Sequence, residues 1–405
     1  MDVKILNFET VLHPPTWCEI DLKALAFNFD QLQKLATKNM THSLGIMPVI
    51  KADAYGHGMI QIAECLTEHG CKYWGVSNTS EGVTLRAAGF KQKILLFEST
   101  LVAEAKDILE YKLTPTVCAL EMAHALDHGA HEAGVQIPVH IKIDTGMGRL
   151  GVNEDQALGF VETIREQCPN LILEGVYTHF PVADTDRDFT LNQMRRFRDM
   201  VYSLENQFIT FSYVHAGNSM GLGDYKSDLF NLARPGIMLY GIYPLENLKE
   251  KVHLKPVMTV KARIIFVQTV AKGRGVSYGH TFKAKEDITV AVLPIGYSNG
   301  YLRSLSNKAF VLVAGVRCPV VGRVTMDQII VDITAVTLSG VTPQVGDEVV
   351  LMGSQKGSAI TADELAAWAG TISYEMLCSL GNRLPRIYHA FPASQQAEQN
   401  SVKNS

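Results

Sequence analysis

The chain has 405 residues with 47% apolar and 19% charged content, which is typical of a globular protein long enough for two domains. A formal net charge of -4 without any basic run disfavours binding to nucleic acid or to a membrane, and no apolar segment is long enough to span a bilayer or to form a signal peptide. Seven cysteines without CxxC spacing indicate reduced thiols in a cytoplasmic protein, and no metal site is predicted.

From residue 16 to about residue 241, short apolar runs alternate with segments of helical periodicity. Residues 16–35 are predicted to form a short strand end and an amphipathic helix. Eight strands that alternate with helices favour a closed (β/α)8 barrel, a TIM-like α/β fold, over an open sheet. The predicted strands are 44–51, 73–77, 93–98, 113–117, 139–145, 173–180, 210–217 and 233–240. The predicted helices are 59–69, 80–88, 120–129, 155–167 and 190–206, with a polar loop at 181–189.

The pattern changes near residue 253, where short strands separated by Gly, Pro and Asp turns predict a second, mainly β domain. The predicted strands there are 257–270, 288–294, 309–313, 318–321, 328–333 and 348–352. Helices are predicted after a cap at Thr361 and over 374–381. The expected domains are therefore 13–252 and 253–391, with residues 1–12 as a candidate addition to the β domain and 392–405 as a disordered tail.

Lys51 is predicted to end the first barrel strand, at the start of the segment 51–58 with the sequence KADAYGHG. A lysine at this place is costly unless its ammonium group is paired or neutral. Desolvation lowers a lysine pKa toward the state that a nucleophile or a Schiff base requires. The alternative is a strand-end lysine whose ammonium extends into solvent. This segment alone does not decide between the two interpretations.

Further polar residues fall at the strand ends, where (β/α)8 enzymes carry their active sites. They are Lys142, Arg149, His179, His215 and Arg234. A lone histidine such as His179 is more often a hydrogen-bonded structural residue, but convergence of these side chains on one face predicts a site. Gly217, Gly236 and Ser219 would let backbone N–H groups approach a phosphate, and a lysine beside a phosphate cradle indicates pyridoxal phosphate.

Six motifs stand in a characteristic order, namely 51–58 (KADAYGHG), 144–149 (DTGMGR), 234–237 (RPGI), 276–279 (VSYG), 294–297 (PIGY) and 326–328 (MDQ). With these motifs in both predicted domains, the chain resembles the alanine racemase family over residues 15–388. The resemblance implies a pyridoxal-phosphate-dependent racemase that interconverts L-alanine and D-alanine and supplies D-alanine for peptidoglycan. It also implies a homodimer with shared active sites.

The resemblance assigns catalysis to two bases on opposite faces of the substrate. Lys51 holds the cofactor as a Schiff base and acts on the D side, whereas Tyr278 of the partner's β domain acts on the L side. A free tyrosine has a pKa of about 10 and needs cationic neighbours to act as a base at neutral pH. His179 and Arg149 are the candidates for that role.

The remaining site residues are also assigned by the resemblance. Arg234 faces the pyridine nitrogen with support from His215, and an arginine cannot give that nitrogen a full proton. The phosphate contacts are Tyr55, Ser219, Gly236 and Ile237, and the substrate contacts are Arg149, the Met326 N–H and, at the pocket entrance, Tyr297. Lys142 matches a lysine that part of the family carries as a carbamate, which would replace a cation near Arg149 by an anion.

Four residues depart from the family's pattern, namely Thr325, Asn299, Leu302 and Asn382. Thr325 stands where the family often has cysteine, and Asn382 stands where some members have tyrosine. Both offer hydrogen-bond partners for a hydroxyl group, which would otherwise lose its contact with water at roughly 1–3 kcal/mol. Serine is therefore predicted as a secondary substrate beside alanine.

Two other functions remain as alternatives. A non-enzymatic pyridoxal-phosphate carrier would consist of the barrel alone, so the β domain with Tyr278 argues against it. An amino-acid decarboxylase could share both domains, but the motifs around Arg149, Tyr278 and Met326 fit a racemase better.

Overall fold

The structure, a computed structural model, describes residues 14–38, 40–41, 44–381 and 383–389. The predictions for residues 1–12, for Asn382 and for the tail 392–405 lie outside these residues. The chain forms two compact units. One is Leu22–Lys255, here called the barrel unit, and the residues that flank it on both sides form the other, here called the β unit.

The first strand of the chain belongs to the β unit. Strand β1 (Thr16–Asp21) pairs antiparallel with Met258–Arg263 and parallel with Arg386–His389. The predicted boundary at residue 13 grouped this segment with the barrel. Its backbone hydrogen bonds join it to strands that follow more than 200 residues later, so it belongs to the other unit. A local sequence pattern does not reveal such distant pairing.

Within the part of the chain that the structure describes, the barrel unit contains nine strands, of which eight form its wall. They are β2 (Gly45–Ile46), β3 (Tyr73–Val76), β4 (Lys93–Ser99), β5 (Thr114–Val117), β6 (Ile137–Asp144), β7 (Val152–Asn153), β8 (Leu171–Tyr177), β9 (Tyr213–His215) and β10 (Leu232–Ala233). Strand β7 pairs only with β6 and lies outside the wall. Every residue of β3 and β5 is buried, as expected for parallel strands that helices cover.

Parallel pairing and single backbone hydrogen bonds close these strands into a ring. Strands β3, β4, β5, β6, β8 and β9 form one parallel sheet in this order, and β2 pairs with β10. The Asn231 N–H donates to the carbonyl of Val214 (3.1 Å), which joins β10 to β9, and the Ile50 N–H donates to the carbonyl of Gly75 (3.0 Å), which joins the β2 segment to β3. The predicted (β/α)8 barrel is confirmed.

Helices connect the strands at the predicted places. Those of the barrel unit are Leu22–Thr37, Met59–Glu68, Thr79–Ala87, Ala105–Glu110, Leu120–Ala133, Glu154–Gln167, Arg187–Asn206 and Ser219–Asp224. The predicted loop 181–189 is shorter than expected, because Asp186 accepts a hydrogen bond from the Phe189 N–H (2.9 Å) and starts the helix at Arg187. Among the described residues, no helix is both long and apolar enough to cross a membrane.

Three barrel strands are much shorter than predicted: the strand predicted over 210–217 is reduced to Tyr213–His215, and proline explains the other two. The predicted strand 44–51 is reduced to β2 and a single bridge at Val49, since Pro48 has no N–H to donate. The predicted strand 233–240 ends at Ala233, one residue before Arg234. Pro235 and Gly236 interrupt it, and Ile237–Tyr240 forms a 3-10 turn.

The β unit carries the remaining strands in three sheets. They are β11 (Met258–Arg263), β12 (Phe266–Val270), β13 (Gly275–Val276), β14 (Phe282–Lys283), β15 (Ile288–Leu293), β16 (Phe310–Val313), β17 (Val316–Pro319), β18 (Ile329–Asp332), β19 (Glu348–Gln355), β20 (Ser358–Ile360) and β21 (Arg386–His389). The largest sheet has the order β17-β16-β19-β11-β1-β21, with β20 on β19; β12-β15-β18 and β13-β14 form the others. The single strand predicted over 257–270 is thus two strands in different sheets.

Three helices lie among the described residues of the β unit, and the mainly β fold predicted for it is confirmed. They are Thr334–Leu338, Ala362–Ala369 and Ser373–Ser379. The predicted cap is present: the Thr361 hydroxyl accepts from the Glu364 N–H and the Glu364 carboxylate accepts from the Thr361 N–H, both at 3.1 Å.

A buried asparagine holds the first helix of the barrel unit in place. Nδ2 of Asn28 donates to the carbonyls of Leu239 (3.0 Å) and Lys255 (2.8 Å), and its Oδ1 accepts from the Lys255 N–H (2.7 Å). These bonds tie the start of the unit to its end.

We expect Asn28→Ala to lower the free energy of unfolding by about 2–4 kcal/mol, because it leaves buried backbone groups unpaired at about 1–3 kcal/mol each. Differential scanning calorimetry would detect this as a fall of about 2–4 °C in Tm per kcal/mol. The control is Gln33→Ala on the exposed side of the same helix, which should leave Tm nearly unchanged. Equal Tm values for Asn28→Ala and the wild type would contradict the prediction.

Candidate active site

A left-handed turn carries Lys51. Over residues 52–55 the φ angles lie between 52° and 54°, although none of these residues is glycine. This conformation costs about 1–2 kcal/mol per L-residue and persists only where the surroundings enforce it, which is typical of functional sites. The prediction that Lys51 ends a strand is corrected in this respect: the lysine opens the turn Lys51–Gly56, just beyond the last backbone bond of the strand segment.

Two carboxylates hold the turn. Glu81 accepts from the Ala52 N–H (2.6 Å) and from the Ser77 N–H (2.7 Å), so it joins the turn to the end of the neighbouring strand. Asp53 accepts from the Met59 N–H (2.7 Å) at the start of the next helix. The backbone is thus fixed on both sides of Lys51.

A polar cradle lies beside this turn. The Tyr55 hydroxyl lies against the backbone of Gly236 so closely that a Cβ at position 236 would overlap it. The Ser219 hydroxyl accepts from the Gly236 N–H (3.1 Å), and Ile237 follows as the first residue of the buried 3-10 turn. Hydroxyls and backbone N–H groups are donors that suit a phosphate. The structure therefore brings together all four predicted phosphate residues.

The Tyr55 ring is positioned by aromatic packing. Its centroid lies 4.9 Å from that of Tyr240, and His57 stacks on the same Tyr240 ring at 4.4 Å. The Tyr240 hydroxyl donates to the carbonyl of Val49 (3.0 Å), just before the left-handed turn. The cradle and the Lys51 turn are therefore parts of one packed arrangement.

Arg234 is buried at the end of β10 with four hydrogen-bond acceptors. Its Nη2 donates to the carbonyls of Thr178 (2.8 Å) and Ala216 (2.9 Å) and to Nδ1 of His179 (3.3 Å). Its Nη1 donates to Nδ1 of His215 (2.6 Å). Burial lowers the pKa of Arg234 to about 10, so the guanidinium remains charged at neutral pH. The predicted support by His215 is a direct contact.

Several cations surround His179. Burial and the charges of Arg234, Lys142, Arg149 and Lys51 hold the pKa of His179 well below its ordinary value. His179 is therefore neutral near pH 7 in this structure, whereas Arg149 is an exposed cation. Lys142 is buried, and burial together with Arg149 and Arg234 lowers its pKa to about 8.

The other predicted site residues lie in the β unit. Tyr278 is 73% exposed and follows Ser277, which has a φ of 62° and donates through its hydroxyl to the carbonyl of Arg323 (2.7 Å). Tyr297 and Met326 are joined through their loops. The Ser298 N–H donates to the carbonyl of Met326 (3.0 Å), and the Tyr297 N–H donates to the carbonyl of Thr325 (3.0 Å).

The departures from the family's pattern have local roles in the structure. The Thr325 hydroxyl donates to the carbonyl of Gln328 (2.8 Å) and accepts from its N–H (3.1 Å), so it closes its own turn. Asn299 is buried and accepts from the Gly296 N–H (3.1 Å). Leu302 immediately precedes the 3-10 turn Arg303–Leu305.

Several residues on which the site depends were not predicted. Glu81 had no recognisable signal, because its bond to the turn joins segments that are distant in the chain. Nδ1 of His140 contacts Nε2 of His215 (2.8 Å) inside the barrel, and Oε2 of Glu174 lies 3.5 Å from Nε2 of His140. A signal existed for His140, since it precedes Lys142 by two residues in β6 and so faces the same side of the strand.

Family models match both units, namely the N-terminal domain of alanine racemase over residues 20–244 and its C-terminal domain over residues 257–388. The chain is 42% identical over 375 residues to an alanine racemase from Halothermothrix orenii, which covers 92% of this chain and 97% of that protein. The chain belongs to the alanine racemase family.

Solved structures agree with this membership. The alanine racemase of Clostridium difficile 630 matches with a TM-score of 0.87 and 34% identity over 93% of this chain and 96% of that chain. An alanine racemase from Bartonella henselae with covalently bound pyridoxal phosphate matches with a TM-score of 0.81 and 27% identity over 93% and 100%. The predicted family, fold and enzyme class, an amino-acid racemase, are confirmed, and the match over 257–388 excludes a carrier made of the barrel alone.

We expect the barrel to lose stability as the pH falls from about 6.5 to about 5. The pKa values of His140, His179 and His215 are lowered, first by burial, so these rings stay neutral in the folded state while the unfolded chain binds protons. Each fully buried histidine contributes a slope of up to about 1.4 kcal/mol per pH unit.

Urea unfolding at a series of pH values measures this slope. The control His128→Gln removes an exposed histidine and should leave the slope unchanged. A free energy of unfolding that is constant over this pH interval would contradict the assignment.

Proposed function

We propose that this chain interconverts L-alanine and D-alanine with pyridoxal phosphate as cofactor. The observation that carries the proposal is the convergence of Lys51, Arg234 and the Ser219–Gly236 contact on one side of a (β/α)8 barrel, in a chain of the alanine racemase family. An amine, a buried guanidinium and a phosphate cradle are the groups that this cofactor needs.

The barrel residues fit the cofactor. Tyr55, Ser219, Gly236 and Ile237 would hold its phosphate, and the contact between the Tyr55 hydroxyl and Gly236 leaves no room for a side chain at position 236. Lys51 would hold its carbonyl carbon. When bound, pyridoxal phosphate acidifies the α-proton of an amino acid by delocalising the negative charge that proton removal leaves.

Two residues move the α-proton in this proposal. Lys51 takes or returns the proton on the D side through Nζ, and Tyr278 does so on the L side through its hydroxyl. The two must approach opposite faces of the α-carbon, because racemisation removes a proton from one face and returns one to the other. Arg149 orients the substrate carboxylate together with the Met326 N–H, and Tyr297 borders the pocket.

Arg234 would face the cofactor ring and donate a hydrogen bond to it without giving up a proton. Its pKa of about 10 keeps it charged at neutral pH, and its two Nη atoms are held by carbonyls and imidazoles. A group that cannot protonate the ring stabilises the negative charge less fully. This favours prompt return of the proton to the substrate over side reactions.

Lys142 is carbamylated in this proposal. Its pKa of about 8, lowered by burial and by Arg149 and Arg234, leaves a neutral fraction at neutral pH that can add carbon dioxide through Nζ and release a proton to solvent. The product is an anion, which replaces repulsion between two cations by attraction to Arg149.

The active enzyme is a homodimer in this proposal. Tyr278 is 73% exposed, and a catalytic base requires a neighbour that excludes water and lowers its pKa. The barrel of a second subunit offers the cations that Tyr278 needs. The proposal places the enzyme in the cytoplasm, where D-alanine enters peptidoglycan synthesis.

Serine as a secondary substrate stays a prediction. The Thr325 hydroxyl is committed to its own turn through two bonds to Gln328, so it is a weaker partner for a substrate hydroxyl than expected. A racemase assay with a panel of L-amino acids would compare serine with alanine directly.

We expect Tyr278→Phe to slow exchange of the α-proton of L-alanine by about 10²–10⁴-fold, the usual contribution of a general base, and to slow exchange of D-alanine far less. Deuterium incorporation from heavy water, followed separately for each enantiomer, measures both. Tyr202→Phe, an exposed tyrosine on a barrel helix, is the control and should change neither rate. Equal slowing from both enantiomers would refute the two-base assignment, and absence of any exchange by the wild type would refute the function.

We expect mixed subunits to recover activity. Lys51→Ala and Tyr278→Phe are each inactive alone, but a heterodimer of the two has one site with both bases if sites are shared. Random exchange should then restore about a quarter of the wild-type activity in a symmetric dimer. Native mass spectrometry would confirm that heterodimers form. Their formation without recovery would show that each site lies within one subunit.

We expect Gly236→Ala to weaken pyridoxal-phosphate binding by about 10–100-fold, because the added methyl group overlaps the Tyr55 hydroxyl and overpacking costs about 1–3 kcal/mol. Absorbance of retained cofactor after dialysis measures the loss. Gly159→Ala is the matched control, since its Cβ would enter open space on an exposed helix. Full retention of cofactor by Gly236→Ala would contradict the cradle.

A further inference from the structure

A chain of hydrogen bonds crosses the interior of the barrel from Arg234 to a carboxylate. Nη1 of Arg234 contacts Nδ1 of His215 (2.6 Å), and Nε2 of His215 contacts Nδ1 of His140 (2.8 Å). Nε2 of His140 contacts the Tyr73 hydroxyl (2.9 Å), which in turn donates to Oε2 of Glu174 (3.4 Å). All five residues are buried.

The chemistry of the first member fixes the order of the protons. A guanidinium can only donate, so Nδ1 of His215 must accept, and the proton of this neutral ring lies on Nε2. That proton is donated to Nδ1 of His140, whose own proton therefore lies on Nε2. The His140 proton is donated to the Tyr73 hydroxyl, whose proton is left for Glu174. While the guanidinium holds this position, each group has one order open to it.

The last member ends the chain with an acceptor. Burial disfavours the charged form of Glu174, but hydrogen bonds from His140 and Lys93 outweigh burial and leave its pKa below the ordinary value. Oε2 of the carboxylate also lies 3.5 Å from Nε2 of His140, and Oε1 pairs with Lys93. An ionised carboxylate accepts and cannot donate. The two ends of the chain therefore require the same proton order.

The packing holds both imidazoles in these positions. The Tyr177 ring stacks on His215 with centroids 4.7 Å apart and planes 5° apart. His140 lies beside Gly175, its register partner in β8, and a Cβ at position 175 would overlap the imidazole. A ring flip of either histidine would therefore have to displace its neighbours.

We propose that Glu174 is a positioning residue for Arg234, which acts by keeping Nδ1 of His215 free of a proton. The reversed order would set an imidazole N–H against a guanidinium N–H across 2.6 Å, and the guanidinium would have to move. The effect of Arg234 on catalysis rests on the proposed function, whereas the proton order does not.

The test reads histidine tautomers in the holoenzyme by ¹⁵N NMR of histidine-labelled protein. Signals are assigned by their loss in His140→Gln and His215→Gln. In the wild type, both rings should be neutral and protonated on Nε2. In Glu174→Gln the terminal amide can donate, so His140 and His215 should shift toward protonation on Nδ1. The same variant should lower kcat about tenfold, the effect of weakening one charged hydrogen bond, with little change in KM for alanine.

The matched control is Glu348→Gln, which removes another lysine-paired carboxylate, 3.1 Å from Lys261 in the β unit. It should leave tautomers and kcat unchanged. A wild-type His215 protonated on Nδ1 overturns the inference without any variant, so the test does not depend on the folding of Glu174→Gln. Unchanged tautomers in folded Glu174→Gln also overturn it. A wild type that lacks racemase activity but shows the expected tautomers would defeat the proposed function and support the proton order.

Discussion

The buried charge of Arg234 is the constraint on which the barrel site depends. A guanidinium taken out of water costs several kcal/mol unless its N–H groups are bonded. Here the acceptors are the carbonyls of Thr178 and Ala216 and the imidazoles of His179 and His215. All four are neutral, so they satisfy the hydrogen bonds without cancelling the charge. The positive charge of Arg234 therefore remains available to whatever binds in the barrel.

Uncompensated positive charge is also present on the residues around Arg234. The pKa of His179 is lowered by burial and by four cations, namely Arg234, Lys142, Arg149 and Lys51. The pKa of Lys142 is itself lowered by burial and by Arg149 and Arg234, so a further positive charge is unfavourable here. Bringing an anion among these cations relieves their repulsion as well as adding its own attraction. A ligand that binds only the folded state also stabilises it. The proposed phosphate, substrate carboxylate and carbamate are all anions, so one electrostatic condition accounts for all three.

The fold could be predicted from the sequence more completely than the details of the site. Apolar runs predicted the number and order of the eight barrel strands, because buried parallel strands are apolar on both faces, but the first and the last two strands are much shorter than those runs. The left-handed turn at residues 52–55 was not predictable, since Ala, Asp and Tyr have no strong preference for it and the bond from Glu81 that holds it comes from another helix. Glu174 is the one charged residue of the otherwise apolar strand β8, and nothing in the sequence indicates its partners.

The neutral state of His179 changes how an exposed tyrosine could become a base. Its Nδ1 accepts from Arg234, so its proton lies on Nε2, and the ring can donate one hydrogen bond away from the guanidinium. A neutral donor stabilises a phenolate less than an imidazolium would, but it does not compete with the phenol for the same proton. In the proposed dimer, His179 would orient Tyr278 while Arg149 supplies the charge. This division of roles between His179 and Arg149 follows from the burial of His179, because only a neutral histidine can lie against Arg234 without repelling it.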